Sequence, residues 1–439
     1  MPATISVDIA LTTAPTAAPA WTSVTDYVES FSIRRGRQGP LETAGAGSAT
    51  LRLTNQDRRF DPRHTTGPYY GTLKPMRRLR IRATWNAITY DLFHGYVSGW
   101  PLSRENYGTQ TVTLSCSDAF KVFQLAEVNG AFALQRSDER IAAVLGASGW
   151  VTGQGWMLGD ATHGVLGTTT KLGPVGDRAL DQGKAQVQAV TLADTQALSH
   201  IQAVEQSENG YFFVGKSGEA VFHSRHRRLV AGSGASSATF GDNLTTGSEE
   251  LPYVSATLDY DDQQIYNDVR VTRTDGIEQV ATDSASKLDY FKRSYSRSVL
   301  VPTDSEALSI ATYLKNTYKD PQYRITSLVL DPEYDTGQVY PQMLGRELGD
   351  VVTVRATPLG GGSRIEQVSF IEGMAIDWTA AGGAWGGEWQ LSQADTNTYW
   401  LLGKSTLGVN TALAYAVGFF LFAHLLASAT QLVTLVAQV

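Results

Sequence analysis

Histidine is the side chain best suited to bind a metal ion or move a proton near neutral pH, and this sequence has seven of them. Only His223 and His226 lie close together, in the run HSRHRR. A strand would place residues three positions apart on opposite faces, so we do not expect this pair to share a metal ion. Because Arg225, Arg227 and Arg228 belong to the same run, we interpret it as an exposed basic loop.

Motifs of the common enzyme classes are absent from the sequence. There is no HExxH, no Gly-x-Ser-x-Gly elbow, no P-loop and no GxGxxG that opens a helix. The single cysteine, Cys116, excludes an internal disulfide and a zinc site built on several cysteines. We therefore predict a protein that is not an enzyme, with no catalytic residue, no cofactor and no metal site.

Acidic residues leave two alternatives open. One acidic run lacks the glycine and the closing glutamate of an EF-hand, so we favour a solvated loop over a weak calcium contact at Asp259, Asp261, Asp262 and Asp268.

The paired carboxylates of a glycoside hydrolase meet in space and cannot be recognised by their spacing in sequence. A β-rich cell-wall hydrolase or a carbohydrate-binding module is therefore the rival function class.

The composition predicts a mainly β protein. A chain of 439 residues with 42% hydrophobic content can form real cores, in roughly two to four domains. Forty-two glycines, nineteen tyrosines and nine tryptophans with only 18% charged residues are typical of many short strands and turns. The formal charge of -7 argues against a surface that binds nucleic acid throughout, although it allows local basic strips.

Residues 48–62, SATLRLTNQDRRFDP, predict a half-buried strand that ends in a tight loop. Apolar residues alternate with polar ones, as in a strand with one buried face, at Ala49, Leu51 and Leu53. Asn55 and Asp57 can bond their own backbone to make a turn, and a proline after Asp61 blocks a regular continuation. Phe60 is the apolar residue that could hold this loop in place.

Arginines form two basic strips. Arg78, Arg80 and Arg82 alternate with apolar residues in RRLRIRATW, so we expect three guanidinium groups along the outside of a barrel. A solvated strand face is the favoured interpretation, with a subunit contact or the wall of a channel as the alternative. Arginine forks suit carboxylates, so we also predict subunit contacts for the other strip, which comes first in the chain and is formed by Arg34, Arg35 and Arg37.

Two stretches have the period of a helix. Residues 194–208 begin with Asp194 as a candidate N-cap, and their stripe consists of Leu198, Ile201, Val204 and Glu205. A hairpin with a glycine turn follows at once, which makes a small α/β unit. Residues 304–318 predict a second helix, with Asp304 as the N-cap candidate.

Four stretches, taken in order, resemble the baseplate hub proteins, or minor tail proteins, of long-tailed bacteriophages such as siphoviruses. The first is the Ala-x-Leu-x-Leu strand with its Asn-x-Asp-x-x-Phe-Asp-Pro loop in residues 48–62, and the second is the helix and hairpin of residues 194–224. The others are a Gln-Val-x-x-Ile-Glu-Gly strand and, after a glycine-rich turn, a Trp-x-Leu-Ser strand within residues 364–393. The resemblance covers most of residues 1–408.

The resemblance implies a structural protein of the virion. It would form a homotrimer with two barrels per subunit, which makes a pseudo-sixfold ring at the distal end of the tail tube. Its implied partners are the tail tube or distal tail protein rings, the tape measure protein, and tail fibre or receptor-binding proteins, with DNA only as passing cargo. The N-terminal run MPATISVDIALTTAP shows no secretory signal, so we expect assembly in the host cytoplasm and a final location at the phage tail tip.

The expected fold class is mainly β with an α/β insert. We predict a first tail-tube-like β-barrel domain over residues 1–125 and a middle α/β domain over residues 126–250. A second such barrel, containing the second helix, would occupy residues 251–408, and a hydrophobic C-terminal helix residues 409–439. No close sequence repeat links the two predicted barrels.

Residues 411–439 contain no Lys, Arg, Asp or Glu. As a helix they would be about 43 Å long, more than the roughly 30 Å of a bilayer core. Spacings of three and four form a weakly polar stripe at His424, Ala427, Gln431, Thr434 and Gln438. The apolar seam comprises Leu421, Leu425, Leu432, Leu435 and Val439.

This much apolar surface needs a cover of partner copies, another protein or lipid. Three interpretations stay open for residues 411–439. They are a three-helix bundle on the hub axis, helices that plug the tube or contact the host membrane, and a helix buried against the second barrel. The segment lies outside the stretch that resembles the tail proteins.

Overall fold

The structure is a computed structural model that describes residues 2–104, 110–150, 178–232, 236–245, 248–358, 360–394, 399–400 and 412–413. Strands predominate over helices in these residues, which confirms the mainly β prediction. No helix in this described part has the length and apolar character needed to cross a membrane.

The beginning of the chain consists of strands and one short 3-10 helix, Thr25–Tyr27. The strands are β1 (Thr4–Ile9), β2 (Thr22–Ser23), β3 (Val28–Gly36), β4 (Ser48–Thr54), β5 (Arg78–Trp85), β6 (Ile88–Val97), β7 (Leu102–Arg104) and β8 (Gln110–Ser117).

Strand β4 and its loop have the predicted form. Its three alternate apolar residues are buried, namely Ala49, Leu51 and Leu53. The side chain of Asn55 accepts a hydrogen bond from the backbone N–H of Phe60 at 2.9 Å, and Asp57 accepts one from the N–H of Arg59 at 3.2 Å. The ring of Phe60 is fully buried, so this residue does hold the loop against the core.

The middle of the chain mixes helices and short strands. Its helices are α1 (Phe120–Leu125), α2 (Ser137–Ala147), α3 (Ala197–Glu208) and α4 (Arg225–Gly232). Its strands are β9 (Glu127–Phe132), β10 (Gln135–Arg136), β11 (Arg178–Leu180), β12 (Gln186–Val187), β13 (Val190–Gln196), β14 (Tyr211–Val214), β15 (Ala220–His223) and β16 (Thr239–Phe240).

The last part of the chain returns to strands around three helices, α5 (Ser284–Tyr290), α6 (Asp304–Tyr318) and α7 (Thr336–Gly345). The strands are β17 (Ser255–Asp259), β18 (Asp268–Arg273), β19 (Gln279–Thr282), β20 (Ser294–Val299), β21 (Arg324–Leu330), β22 (Val351–Ala356), β23 (Ile365–Thr379), β24 (Trp385–Gln393), β25 (Tyr399–Trp400) and β26 (Ala412–Leu413).

Helices α3 and α6 occur where the sequence predicts them, but their predicted N-caps are wrong. Strand β13 pairs with β9 as far as Gln196, so Asp194 lies in the strand, with φ of 45°. The N-cap of α6 is Thr303, whose side chain accepts a hydrogen bond from the backbone N–H of Glu306 at 3.2 Å. Asp304 is therefore the first residue of its helix instead of its cap.

One sheet joins the two halves of the chain. In the described residues it has 14 strands, and its main path runs β17-β21-β24-β23-β3-β4-β8-β6-β5-β1-β2. The link is the antiparallel pair β3–β23, in which Gly36 pairs with Gly373 and Ser30 with Thr379. The ladder does not return on itself in the described residues, so the two predicted barrels are not seen there as closed rings.

Two hydrophobic cores lie beside this sheet. The larger core is continuous from β1 to β24 and includes the faces of α1, α2, α3 and α7. The smaller core lies between α6 and a separate sheet of order β19-β18-β20. Its central residues include Val269, Val271, Ile310 and Leu314.

The predicted C-terminal helix lies mostly outside the described residues. Ala412 and Leu413 form strand β26, which pairs in parallel with β25, so these two residues are not helical as predicted. The remainder of residues 409–439 is outside the described part, including both stripes of side chains named above.

Candidate functional site

An open cleft of about 570 Å³ lies where distant segments of the chain converge. Residues from the segment that follows β3, from helices α3, α4 and α6, and from the ends of β23 and β24 line it. Its volume is within the range of sites that bind small molecules or parts of a partner protein.

Glu372 is a fully buried carboxylate that three residues of the cleft bind. Arg37 donates from Nε at 2.8 Å, Ser392 donates from Oγ at 2.5 Å, and Arg228 also donates to the carboxylate. Burial alone would raise the pKa of Glu372, but the two guanidinium groups outweigh burial and lower its pKa to about 2. The carboxylate is therefore ionised at neutral pH and is paired on both sides.

The backbone explains why a charged side chain points into the protein here. The register of β23 against β24 shifts between Ile371 and Gly373, so Glu372 lies at a β-bulge. A bulge re-aims side chains, and all residues from Phe370 to Gly373 are buried. On the opposite strand Gly36 has φ of 93°, and the chain then leads Arg37 toward the carboxylate.

Tyr211 connects this charge cluster to strand β14. Its hydroxyl donates to the backbone carbonyl of Glu372 at 2.6 Å, and the Arg37 guanidinium lies 4.1 Å from the centre of its ring. Arg228 lies 4.2 Å from the ring centre of Phe370 in the same way. The cluster thus ties together the first strands, the middle region and the last strands.

Glu205 is a second buried carboxyl group and lines the cleft from helix α3. Its side chain is only 2% exposed; Oε1 accepts a hydrogen bond from the N–H of Phe212 at 3.1 Å, and Oε2 has no hydrogen-bond partner. Burial raises the pKa of Glu205 to about 7, against the opposite effect of Arg37 and Arg297. The pKa of this carboxyl group therefore lies near neutral pH, where its protonated form is populated.

Three more arginines line the cleft. Arg324 pairs with Asp261 at 2.6 Å, and Arg225 lies 3.8 Å from Glu208. Arg297 bonds uncharged acceptors, the side chain of Asn209 at 2.5 Å among them.

The first predicted basic strip divides between surface and interior. Arg34 is half exposed and forms a two-pronged pair with Asp377, with both N···O distances 3.0 Å. Arg35 is buried and donates to Glu347 at 2.8 Å. Arg37 is the buried partner of Glu372 described above. Of this strip, only Arg34 keeps a substantial exposed area.

The second predicted strip faces the protein more than solvent. Arg80 and Arg82 both pair with Asp8 of the neighbouring strand β1, at 2.8 Å and 3.0 Å. Arg78 is 3% exposed and donates to the backbone carbonyl of Pro15 at 2.8 Å, so its predicted position on the outside is wrong. The reason is that the segment after β1, which contains Pro15, lies against Arg78, while Asp8 of the neighbouring strand β1 pairs with the other two arginines.

The run HSRHRR is also not the exposed loop that the sequence suggests. His223 ends β15 and is buried, and Arg225 is buried at the start of α4. The positions of Arg225 and Arg228 in the cleft therefore differ from the exposed positions that the sequence predicts. The sequence does contain one signal for this site. Glu205 lies in the apolar stripe of helix α3, and a carboxylate in such a stripe must be buried together with the apolar side chains.

The arrangement is suited to binding and to holding segments together. No group of three or more His, Cys, Asp or Glu side chains in the described residues is arranged to hold a metal ion. Burial raises the pKa of the Cys116 thiol to about 12, so this side chain is not a reactive nucleophile. The acidic run at residues 259–268 takes part in ion pairs, such as that of Asp268 with Lys287 at 2.8 Å.

Solved structures that are similar over nearly the whole chain include two phage tail proteins. The tail protein from Neisseria meningitidis MC58 is 11% identical with a TM-score of 0.55, covering 90% of this chain and 97% of that one. The 43 kDa tail protein of prophage MuSo2 from Shewanella oneidensis is 11% identical with a TM-score of 0.53, covering 90% of this chain and 98% of that one. At such identities the likeness is one of fold, and it confirms the fold resemblance to phage tail proteins. No family model and no curated protein matches the chain by sequence.

Proposed function

We propose that this chain, which has the fold of phage tail proteins, is a structural protein of a phage tail. The observation that carries the proposal is the extent of the match, because nearly all of both tail proteins is covered by 90% of this chain. A shared fold alone does not determine function, so the absence of recognised catalytic motifs from the sequence adds independent support.

More specifically, the chain acts as a trimeric hub at the distal end of the tail tube. It joins the tube to tip and fibre proteins and lets DNA pass on infection. In this role residues 1–125 and 251–408 supply two tail-tube-like barrels and residues 126–250 the α/β domain between them. The pairing of β3 with β23 supports such a role, since it fixes the two strand-rich parts of one subunit to each other.

The proposed partners follow from this position. They are two further copies of the chain, the tail tube or distal tail protein rings, the tape measure protein, and tail fibre or receptor-binding proteins. The subunit assembles in the host cytoplasm and remains at the tail tip of the virion. Among the arginines predicted for subunit contacts, Arg34 is the best suited, because its side chain is half exposed whereas the others are buried or mostly buried.

Residues 411–439, apart from the two strand residues Ala412 and Leu413, supply either a three-helix bundle on the trimer axis or a segment that contacts the host membrane. Deletion of these residues separates the two interpretations. Loss of the trimer would favour the bundle, whereas an intact trimer that no longer binds liposomes would favour membrane contact. An intact, detergent-free soluble trimer with unchanged liposome binding would contradict both.

Two measurements test the proposed role. Light scattering on the purified chain should give three times the mass of one chain, and gold-labelled antibodies should bind the tips of phage tails in electron micrographs. A chain that stays monomeric at all concentrations and leaves tail tips unlabelled would contradict the hub. A monomer that clears peptidoglycan or binds cell-wall glycans would instead support the rival hydrolase or carbohydrate-binding module.

A further inference from the structure

One side of the cleft carries more positive than negative charge. Arg37 and Arg228 share a single carboxylate, Glu372, and Arg297 lies on the same cleft beside Glu205. The other two cleft arginines, Arg324 and Arg225, lie beside Asp261 and Glu208. Glu205 is partly protonated near neutral pH because of its burial, which increases the imbalance. A concave surface with such an excess of arginine attracts anionic groups.

Two of the cleft arginines have guanidinium N–H groups that no carboxylate accepts. The Nη1 atom of Arg228 is buried without a hydrogen-bond partner, while its Nη2 atom binds Glu372. Arg297 is bonded to the side chains of Asn209 and Tyr295 and to a backbone carbonyl, which are all uncharged acceptors. No carboxylate lies within ion-pair distance of Arg297 in the described part of the chain.

Glu205 contributes to the same cleft a polar atom that has no hydrogen-bond partner. Its Oε2 atom is buried and has no partner, which in a fully enclosed site would cost free energy. When protonated, this carboxyl can donate a hydrogen bond to an anionic oxygen. Arg228, Arg297 and Glu205 all line the same cleft.

The walls of the cleft are not those of a site for a bare inorganic anion. Apolar side chains lie between the charged ones, namely Leu41, Leu229, Leu314 and Phe370. The cleft is also far larger than one phosphate or sulfate ion. A peptide in which acidic and apolar side chains alternate would match both the arginines and the walls.

We propose that this cleft binds an acidic peptide segment of a partner protein, with a carboxylate held by Arg228 and Arg297 beside Glu205. The proposal rests on the side chains of one subunit and stands whether or not the chain forms a trimeric hub. A tail protein with this site would capture an extended acidic segment of a neighbour in the assembly.

A peptide-binding measurement on the full chain tests this. The probe is a fluorescein-labelled peptide of alternating glutamate and leucine, and its control replaces each glutamate with glutamine. Fluorescence anisotropy should show that the acidic peptide binds at least roughly tenfold more tightly, since charge-assisted hydrogen bonds are lost in the control.

Variants then locate the site. Arg297→Gln removes a cleft charge, and Arg228→Lys keeps a cation beside Glu372 while removing the free Nη1 atom. Each should weaken the acidic peptide by about three- to tenfold. The matched control is Arg270→Gln, which removes a guanidinium from the same small sheet but outside the cleft, and it should leave binding unchanged.

Several results would overturn the proposal. Equal binding of the two peptides to the unmodified protein would do so even if a variant failed to fold. Equal weakening by Arg270→Gln and Arg297→Gln would mean charge attraction without a defined site. Displacement of the peptide by inorganic phosphate at the peptide's own concentration would identify a site for small oxyanions instead.

Discussion

Gly36 and Gly373 are paired across β3 and β23, the one ladder by which the strands from the two ends of the described chain meet in a single sheet. Gly36 has φ of 93°, and a Cβ atom placed on it would lie 2.2 Å from the carbonyl oxygen of Glu372. A Cβ atom on Gly373 would lie 2.7 Å from the carbonyl oxygen of Arg37. The close approach of two backbones therefore requires glycine on both sides of this junction.

We predict that Gly36→Ala lowers the free energy of unfolding by at least about 3 kcal/mol, because it combines a positive φ with a backbone clash. Gly71→Ala is the control, since Gly71 has φ of 77° with no atom near its would-be Cβ, and it should cost only about 1–2 kcal/mol. Urea denaturation of both variants measures the difference. Equal losses would show that the junction is not tightly packed.

Removal of the charge on Glu372 should destabilise the protein strongly. Glu372→Gln leaves Arg37 and Arg228 without their shared carboxylate, which we expect to cost about 3–5 kcal/mol, as for other buried pairs that lose one partner. Asp377→Asn on the same strand breaks the half-exposed pair with Arg34 and should cost at most about 1 kcal/mol. Denaturant midpoints of the two variants compare a buried pair with a surface pair on one strand.

Glu205 should make the protein less stable as the pH rises toward neutral. Burial raises its pKa from 4.5 to about 7, so between these values the folded state keeps a proton that the unfolded state has released. The stabilisation that the protonated Glu205 contributes is fully present below pH 4.5 and is lost as the pH rises to about 7. Glu205→Gln should therefore reduce the decline measured over this interval.

The acidic side of the pH profile provides an internal control for that variant. The pKa of Glu372 falls from 4.5 to about 2, so its contribution is present above pH 4.5 and is lost as the pH falls toward 2. Glu205→Gln should leave this loss in place. Part of the decline toward neutral pH should also remain, because burial raises the pKa of Asp118 to about 7. A variant with the same profile as the unmodified protein would contradict the assignment to Glu205.

Charge reversal should separate assembly from folding at the two basic strips. Arg34→Glu acts on a half-exposed pair, so we expect it to impair trimer formation while the midpoint of thermal unfolding changes little. Arg80→Glu places a carboxylate against Asp8 in a mostly buried position, so it should lower the unfolding midpoint itself. Light scattering and thermal unfolding on both variants are the measurements. Normal trimers from Arg34→Glu would remove this residue from the subunit contacts.

Local patterns in the sequence predicted the elements of this fold well. The alternation in β4, the turn at Asn55 and the periods of α3 and α6 all depend on residues close together in the chain. The pairing of β3 with β23 could not be predicted from local patterns, because the residues near a strand do not specify which distant strand will pair with its edge. The sequence predicts two separate barrels, but in the described residues strands from both of these regions join in one 14-stranded sheet.

The candidate site was harder to predict for the same reason. Arg37 and Glu372 are 335 positions apart; Arg37 directly follows strand β3 and Glu372 lies in strand β23. Arg228 looked like part of a solvated basic run because its neighbours are charged. Only the burial of Glu205 could be predicted from the local sequence, because this carboxylate lies within an apolar helical stripe. In the structure it is a buried group in the cleft.

The pairing of β3 with β23 also affects the chain while the ribosome is still making it. Strand β3 is synthesised early, but its partner follows after more than 300 residues, a delay of roughly 20–70 s at ordinary translation rates. Throughout that interval the edge of β3 that will meet β23 has open backbone hydrogen-bonding groups, which can pair with the same strand of a nascent chain on a neighbouring ribosome. Crowded polysomes are therefore the stage at which this protein is most exposed to misassembly, and chaperones that cover strand edges would act there.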